Sequence, residues 1–500
     1  MALRINYNFQ AEFTHVNILK TERNLNTSLE RLATGYRINS AKDDAAGLFI
    51  ADQLNLVAKA LDQGSRNAQD GISAAQIAEA SLSQIYEKLT DMYTKAQQAA
   101  TDTNDPLARE ALQTDIEKLR DAILKISSTA EFNGIKLLDG TFQNKVIHFG
   151  PRTDQTLKMS IASALPQDLG AAIVKSNNGS PLVSSGTGAT YAGTDATQFN
   201  AGEDLTINGT SVVQGFNDGD DLDAAKIANN INTYVKGVTA TAKNEVTGSV
   251  EFGTITIGSD DSASITITGS KGSATINLSG GQGYDLTSII NLINGQSNNT
   301  GVFAKADSTG TKLVLYTQDG STFNLDFSVT AGGTTGNTTI DLAKFGGSGT
   351  VDDNTATSGY VHSIGTIVLE SSDAITIAGV NGLESDLGFT AGTYNITSLQ
   401  AIDVTSNTSA EDALRILNGA IKKVDSLRSS LGSIQINLQA IIDNNDFSAT
   451  QTREAESRIR NVDFAKEMSN FTKQQTLMQS GMAMLAQANQ LPQLVLQLLR

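Results

Sequence analysis

GLFIADQLNLVAKALDQGSRNAQDGISAAQIAEASLSQIYEKLTDMYTKAQQA, residues Gly47–Ala99, keeps one series of small and apolar residues at alternating spacings of three and four. The series is Gly47, Ile50, Leu54, Val57, Leu61, Gly64, Ala68, Gly71, Ala75, Ala78, Leu82, Ile85, Leu89, Met92, Ala96 and Ala99. Such spacing puts all of them on one stripe of an α-helix, and it continues well past the three or so heptads that mark a coiled-coil seam. At 1.5 Å per residue the helix would be about 80 Å long. The small residues midway let a second element approach closely. Gly64 and Gly71 each cost about 1 kcal/mol against Ala inside a helix, which leaves a break near them open. Ser40 and Asp43 read as a capping box at its start.

Further helices follow the same logic. Asp105-Pro106 reads as N-cap and first helical position, with Leu112, Ile116, Leu119, Ile123 and Ile126 as the apolar face. Asn133-Gly134 marks a turn, and Lys145–Phe149 with Thr156–Ile161 alternate like a hairpin. Near the other end, Leu414, Leu417, Ile421 and Val424 continue after a one-residue slip as Leu427, Leu431, Ile434, Leu438 and Ile441. Asn444–Phe447 reads as a break. A last helix carries Phe464, Met468, Phe471, Gln475, Met478, Met482, Leu485 and Asn489 at 4,3 spacing, and the first helix answers with Ile18, Leu25, Leu29, Leu32 and Tyr36. An ordinary bundle core has the same spacing, but a compact bundle rarely needs so long a helix. The methionines Met468, Met478 and Met482 read as adaptable packing.

Between these ends lies a different polymer, rich in Gly, Thr, Ser and Asp. From Pro181 to Ala410 there are 23 acidic side chains against seven lysines, a net of -16 out of -17 for the 500 residues. No arginine falls between Arg152 and Arg415. The ends are therefore close to neutral. Such an acidic middle argues against nucleic acid, which calls for clustered Lys and Arg, and fits a solvated, self-repelling surface. A weak repeat runs through it. Leu205–Val212 precedes IANNIN (Ile227–Asn232) and GVTATA (Gly237–Ala242), and a similar order returns with ATINLSGG, IINLIN (Ile289–Asn294) and GVFAKA (Gly301–Ala306). Two β-α-β-like modules are the expectation, with strands at Thr254–Ile257 and Ser264–Thr268.

Catalytic chemistry has little to work with. The chain has no cysteine, and its three histidines, His15, His148 and His362, are isolated. There is no HExxH, no P-loop and no GxSxG. Asp218–Asp223 reads as a solvated turn rather than a calcium loop, and the Asn-x-Ser/Thr sites at Asn208 and Asn337 as chance. No catalytic, cofactor-binding or metal-binding residue is therefore assigned, and no cofactor. The N-terminus lacks the apolar run of a secretory signal, and no stretch of about 18 apolar residues crosses a membrane.

SLERLATGYRINSAKDDAAG (Ser28–Gly47) resembles the N-terminal signature of bacterial flagellin, as do SRNAQDGISAAQIAE (Ser65–Glu79) and EFNGIKLLDG (Glu131–Gly140). SRIRNVDFAKEM (Ser457–Met468) and ANQLPQLVLQLLR (Ala488–Arg500) resemble the C-terminal signature. The resemblance covers about residues 1–175 and 405–500. It implies an α+β fold: long paired N- and C-terminal helices forming a coiled-coil or bundle core, with an inserted, outward-facing β-rich middle. Residues 1–44 with 460–500 would form the inner tube of a filament. Residues 45–180 with 406–459 would form a helical bundle with a β-hairpin, and 181–405 an outer region of two small modules. The polymerisation residues implied are Ile18, Leu25, Leu29, Leu32, Tyr36, Asn39, Lys42, Asp43, Asp44, Phe464, Met468, Phe471, Met478, Met482, Leu485, Leu491, Leu498, Leu499 and Arg500.

The resemblance further implies that the protein is an extracellular structural subunit of a motility filament and no enzyme. Its implied partners are copies of itself, the flagellar type III export apparatus, an export chaperone on the C-terminal helix (Phe464–Leu499), and hook-associated and cap proteins. Neither nucleic acid nor membrane is among them. Export would be of the unfolded chain, without a cleaved signal peptide, and the isolated terminal segments would fold only on assembly. A hook–filament junction protein shares such ends, although the full NSAKDDAAG run and the LLR terminus favour flagellin. A β-rich surface adhesin on a helical stalk is a more distant alternative. Where some flagellins read RVRELAVQ and are sensed by a Toll-like innate receptor, this chain has Asp91, Tyr93 and Lys95 in place of Arg, Arg and Leu. The resemblance therefore implies weak or absent receptor activation.

Overall fold

The computed structural model describes residues 7–101, 103–177, 182–186, 198–332 and 338–498, with the backbone alone at 182–186 and 491–498. The principal helices are α1 (Phe9–Thr34), α2 (Ala45–Ala99), α3 (Pro106–Thr129), α4 (Ala224–Tyr234), α5 (Leu286–Gly295), α6 (Asn407–Arg460) and α7 (Phe464–Leu498). Contacts divide the chain into two compact units. The first holds 1–77, 142–161 and 430–500; the second holds 78–141 and 162–429. Both α2 and α6 begin in one unit and end in the other.

Neither long helix breaks. The break left open near Gly64 and the one expected at Asn444–Phe447 are both uninterrupted helix, and the reason is packing in the first unit. A β-carbon on Gly64 would stand 2.0 Å from the Phe149 carbonyl oxygen, and one on Gly71 would stand 2.5 Å from Ile147 Cδ1. The hairpin of Lys145–His148 and Thr156–Met159 thus lies directly on the glycines. Asn445 is buried because its Nδ2 donates to the Phe149 carbonyl at 2.7 Å. Ala68, Leu438 and Ile442 form the core beneath, with Ile72, Ile147, Leu157 and Ile434 packed on it. The helical cost of Gly and Asn is offset by this close approach, a tertiary contact that propensity does not see.

The start of α2 also differs from expectation. Asp43 accepts from the backbone N–H groups of Asn39 and Ser40 and from the Ser40 hydroxyl, but this closes a turn before the helix. The cap itself is Asp44, whose Oδ1 accepts from Gly47 N at 2.9 Å. For α3 the expected Asp105 cap and Pro106 first position are found. Asn133 and Gly134, at φ of 49° and 75°, make the tight turn between Glu131–Phe132 and Ile135–Lys136.

In the second unit, Ala78, Leu82, Ile85, Leu89, Met92, Ala96 and Ala99 of α2 are completely buried. Lys95 pairs with Asp115 of α3 at 2.7 Å, and Arg428 lies over the Tyr86 ring. Gln113 of α3 holds the segment that leads into α6 by donating to the Ile402 carbonyl and accepting from Val404 N. Gly419 lets α6 press on Ala171, where a β-carbon would stand only 2.5 Å away. The larger sheets are entirely antiparallel among the described strands. One has five strands, ordered Gly272–Leu278, Ser262–Gly269, Phe323–Thr330, Ser358–Ser363 and Leu182–Gly186. The other has six, ordered Val302–Ala306, Leu313–Thr317, Val238–Thr247, Thr366–Ser371, Gly170–Lys175 and Thr397–Ser398.

Two hydrophobic cores result, one nested inside the other in sequence. The first draws on residues from Ala172 to Ala240 and again from Ile364 to Phe389; the second lies between, from Val246 to Val361. The repeat is real at the level of bonds. Asp223 and Asp285 cap α4 and α5. Asn232 then donates to the Ala240 carbonyl and accepts from Ala240 N, both at 2.8 Å. Asn294 makes the same pair with Ala304, again at 2.8 Å. Each clamp ties a helix end to the strand that follows it.

Two predictions follow from this packing. Gly64→Val should destabilise the helical unit by about 1–3 kcal/mol through overpacking, while Gly432→Ala in open space on α6 should stabilise by up to about 1 kcal/mol; thermal denaturation followed by circular dichroism reads both. His362 is buried, and burial pushes its imidazole down to about 4 from 6.5. The neutral form is therefore the stable one: its contribution is complete above pH 6.5 and is lost as pH falls toward 4. The loss should approach about 3 kcal/mol, and His362→Gln should flatten the pH dependence of unfolding in that window.

Candidate assembly interface

Helices α1 and α7 pair antiparallel along their length. Asn8 Nδ2 donates to the Ala488 carbonyl at 2.8 Å, Ile18 meets Gly481, and Ser28 Oγ donates to Glu467 Oε1 at 2.5 Å. At the far end Tyr36 and Asn461 form a β-bridge. Gly35, at φ 75°, ends α1 in the left-handed conformation and accepts from Val462 N through its carbonyl. Arg37 N donates to the Arg460 carbonyl, and the Arg460 guanidinium stands 4.7 Å from the Tyr36 ring centre. These contacts join segments more than 400 residues apart.

The inward stripe of α1 is Ala11, Thr14, Ile18, Thr21, Leu25, Ser28, Leu32 and Gly35, each buried or half-buried. Its threonines turn their hydroxyls back to carbonyls of their own helix, Thr14 to Gln10 and Thr21 to Asn17, so the polar atoms are satisfied locally. The inward stripe of α7 is Glu467, Phe471, Gln474, Met478, Gly481, Leu485 and Ala488. It shares Phe471, Met478 and Leu485 with the stripe expected from spacing, and replaces the rest with Glu, Gln, Gly and Ala. Periodicity scored the larger apolar residues, whereas the close pairing selects small ones and a bonded carboxylate.

The remaining expected residues stand elsewhere. Leu29 is 53% exposed, Phe464 56%, Met468 51% and Met482 55%. With Phe9, Phe13 and Val16 on α1 and Leu477 and Met484 on α7, they are large apolar side chains that this pairing leaves in solvent. Phe9 and Phe13 stack at 6.1 Å. Ile18, Leu25 and Leu32 are half-buried against α7, and Tyr36 is exposed under Arg460. Asn39 and Asp43 are half-buried in the turn before α2, while Lys42 and Asp44 are exposed. The Ser40 hydroxyl, with the Ser40 and Asn39 N–H groups, holds the Asp43 carboxyl below its ordinary range. The side chains of Leu491 and Leu498, and Leu499 and Arg500 altogether, lie outside the described residues, as does Asn337.

In the second unit, Asp91 is exposed and bonds Lys88 at 3.4 Å, Tyr93 is half-buried, and Lys95 is held by Asp115. No group of three or more metal-binding side chains occurs among the described residues, and no described helix is long and apolar enough to cross a membrane.

The family models agree with the helical ends. The bacterial flagellin N-terminal helical region matches residues 5–143, and the C-terminal helical region matches 414–499. Flagellin of Aquifex aeolicus is 45% identical over an alignment of 531 residues that covers both chains completely. Flagellin of Aquifex pyrophilus is 44% identical and B-type flagellin of Pseudomonas aeruginosa 32%, again over the whole of both chains. The chain belongs to the bacterial flagellin family, the structural subunits that polymerise into the extracellular flagellar filament.

Proposed function

We propose that the filament built from this chain is held together by the outer faces of α1 and α7. The observation that carries this reading is that both helices keep large apolar side chains in solvent after they have paired: Phe9, Phe13 and Val16 on α1, and Phe464, Met468, Leu477, Met482 and Met484 on α7. So many exposed large apolar side chains on two adjacent helices are ordinarily covered by another chain. Copies joined by a heterologous contact that does not close on itself form a helical polymer. Residues 1–44 and 460–500 are the inner tube in this arrangement, 45–180 and 406–459 the next layer, and 181–405 the outward region. Its acidic side chains keep neighbouring filaments apart. The polymer transmits torque generated elsewhere and performs no catalysis.

The terminal segments order on assembly, since neither can bury its apolar face alone. The export route is the flagellar type III channel, which takes the unfolded chain. A chaperone covers α7 beforehand, and hook-associated and cap proteins bound the polymer at its ends. Asp91 places a carboxylate where receptor-activating flagellins carry an arginine, and Lys95 is engaged by Asp115.

Removal of residues 461–500 should abolish filament formation, whereas deletion of about 185–400 should spare it; electron microscopy of repolymerised protein reads both, and normal filaments from the truncated chain would sink the packing model. Purified monomer should give weak or no signal in a Toll-like-receptor reporter cell assay, and full potency would contradict the reading of Asp91.

A further inference from the structure

Apolar contact alone cannot set the register of α1 on α7. Ile18, Leu25 and Leu32 recur every seven residues on α1, and Phe471, Met478 and Leu485 recur every seven on α7. Sliding one helix by a heptad, about 10 Å, returns large apolar residues to large apolar residues. The Asn8 bond to the Ala488 carbonyl does not discriminate either, because every register offers a backbone carbonyl. The notch at Gly481 takes Ile18 now and would take Ala11 or Leu25 after a slip.

Within the helical seam, one side-chain contact has no equivalent in the slipped arrangements. Ser28 and Glu467 are 6% and 7% exposed and hydrogen-bonded to each other inside the seam. Slid one way, Glu467 would face Gly35, which has no side-chain donor. Slid the other way, it would face Thr21, whose hydroxyl already donates to the Asn17 carbonyl. A buried carboxylate without its donor carries a large desolvation cost. Its place in the first turn of α7 favours the negative charge but is the same in every register. A buried polar pair within a seam is the best-attested way for paired helices to select one alignment, and here it sits among mainly small and apolar residues.

We propose that Ser28 and Glu467 are specificity-determining residues of assembly: their bond selects the register in which α1 and α7 pair, and so the register of the outer apolar faces presented to neighbouring copies. This rests on the reading that α1 and α7 pair within the filament. The competing possibility is that the backbone bridge between Tyr36 and Asn461 fixes the register alone.

The absence of cysteine allows a direct test in the full-length chain. Ile18→Cys is combined in turn with Gly481→Cys, Gln474→Cys and Ala488→Cys, filaments are grown and mildly oxidised, and intramolecular disulfides are identified by mass spectrometry of peptides from isotopically mixed filaments. With Ser28 and Glu467 intact, only the 18–481 pair should cross-link in high yield. With Ser28→Leu and Glu467→Leu together, the 18–474 or 18–488 pair should gain at least several-fold, while Glu467→Gln, which still accepts the hydroxyl, should keep the native pattern. Exchange of the pair, Ser28→Glu with Glu467→Ser, should restore the native pattern that Glu467→Ser alone degrades; this arm decides the matter if the leucine pair does not assemble. An unchanged 18–481 pattern in the leucine pair, or an exchange that restores nothing, overturns the proposal. Filaments that form without any 18–481 cross-link in the otherwise native chain would instead overturn the pairing itself.

Discussion

A helix can bury only one stripe against one partner. That constraint organises the helical part of the molecule. Along α2 the stripe is covered from Leu61 onward, because a hairpin, α3 and α6 each supply part of the cover. The first members of the same stripe fare differently: Ile50 is half exposed, and Phe49 and Leu56 stand in solvent beside it. The terminal helices carry the constraint furthest, since the main cover on α1 comes from α7. Both keep large apolar side chains uncovered, Phe9 and Phe13 on α1 and Met468 and Met482 on α7 among them.

Close approach is the second theme. Gly64, Gly71, Gly419 and Gly481 all lie inside helices, where each costs stability relative to alanine. At each of them another element stands where a β-carbon would be: a hairpin carbonyl, a hairpin isoleucine, a sheet alanine, and Ile18 of α1. The same positions look like weak points when propensity is summed along the chain. They are the sites at which long helices are fastened.

The middle region meets its own constraint differently. Its two hydrophobic cores are supplemented by side chains that substitute for backbone hydrogen bonds. The Asn232 and Asn294 clamps each satisfy a donor and an acceptor of the next strand, and Asp223 and Asp285 each satisfy a helix end. The nested order of the two cores means that the first is completed only after the second has been traversed. Such long-range pairing is slow to form.

Residue periodicity by itself determined the helical character of both ends, the buried stripe from Leu61 to Ala99, the Asp105 cap, the Asn133-Gly134 turn and the repeat in the middle, because each depends on neighbours within a few residues or on a spacing repeated many times. Long motifs determined the family. Tertiary structure alone decided that Gly64 and Asn444–Phe447 stay helical, that Asp44 rather than Ser40 caps α2, and that α7 turns Glu467, Gln474, Gly481 and Ala488 inward while Met468 and Met482 face out. Apart from the Asp44 cap, which is local, these outcomes are settled by partners distant in sequence: Phe149 for Gly64 and Asn445, Ile18 for Gly481, Ser28 for Glu467. A pattern of apolar residues reports which side chains avoid water, but two stripes offset by one position share half their members. Which stripe is used depends on how closely the other helix can approach, and that is a property of the pair.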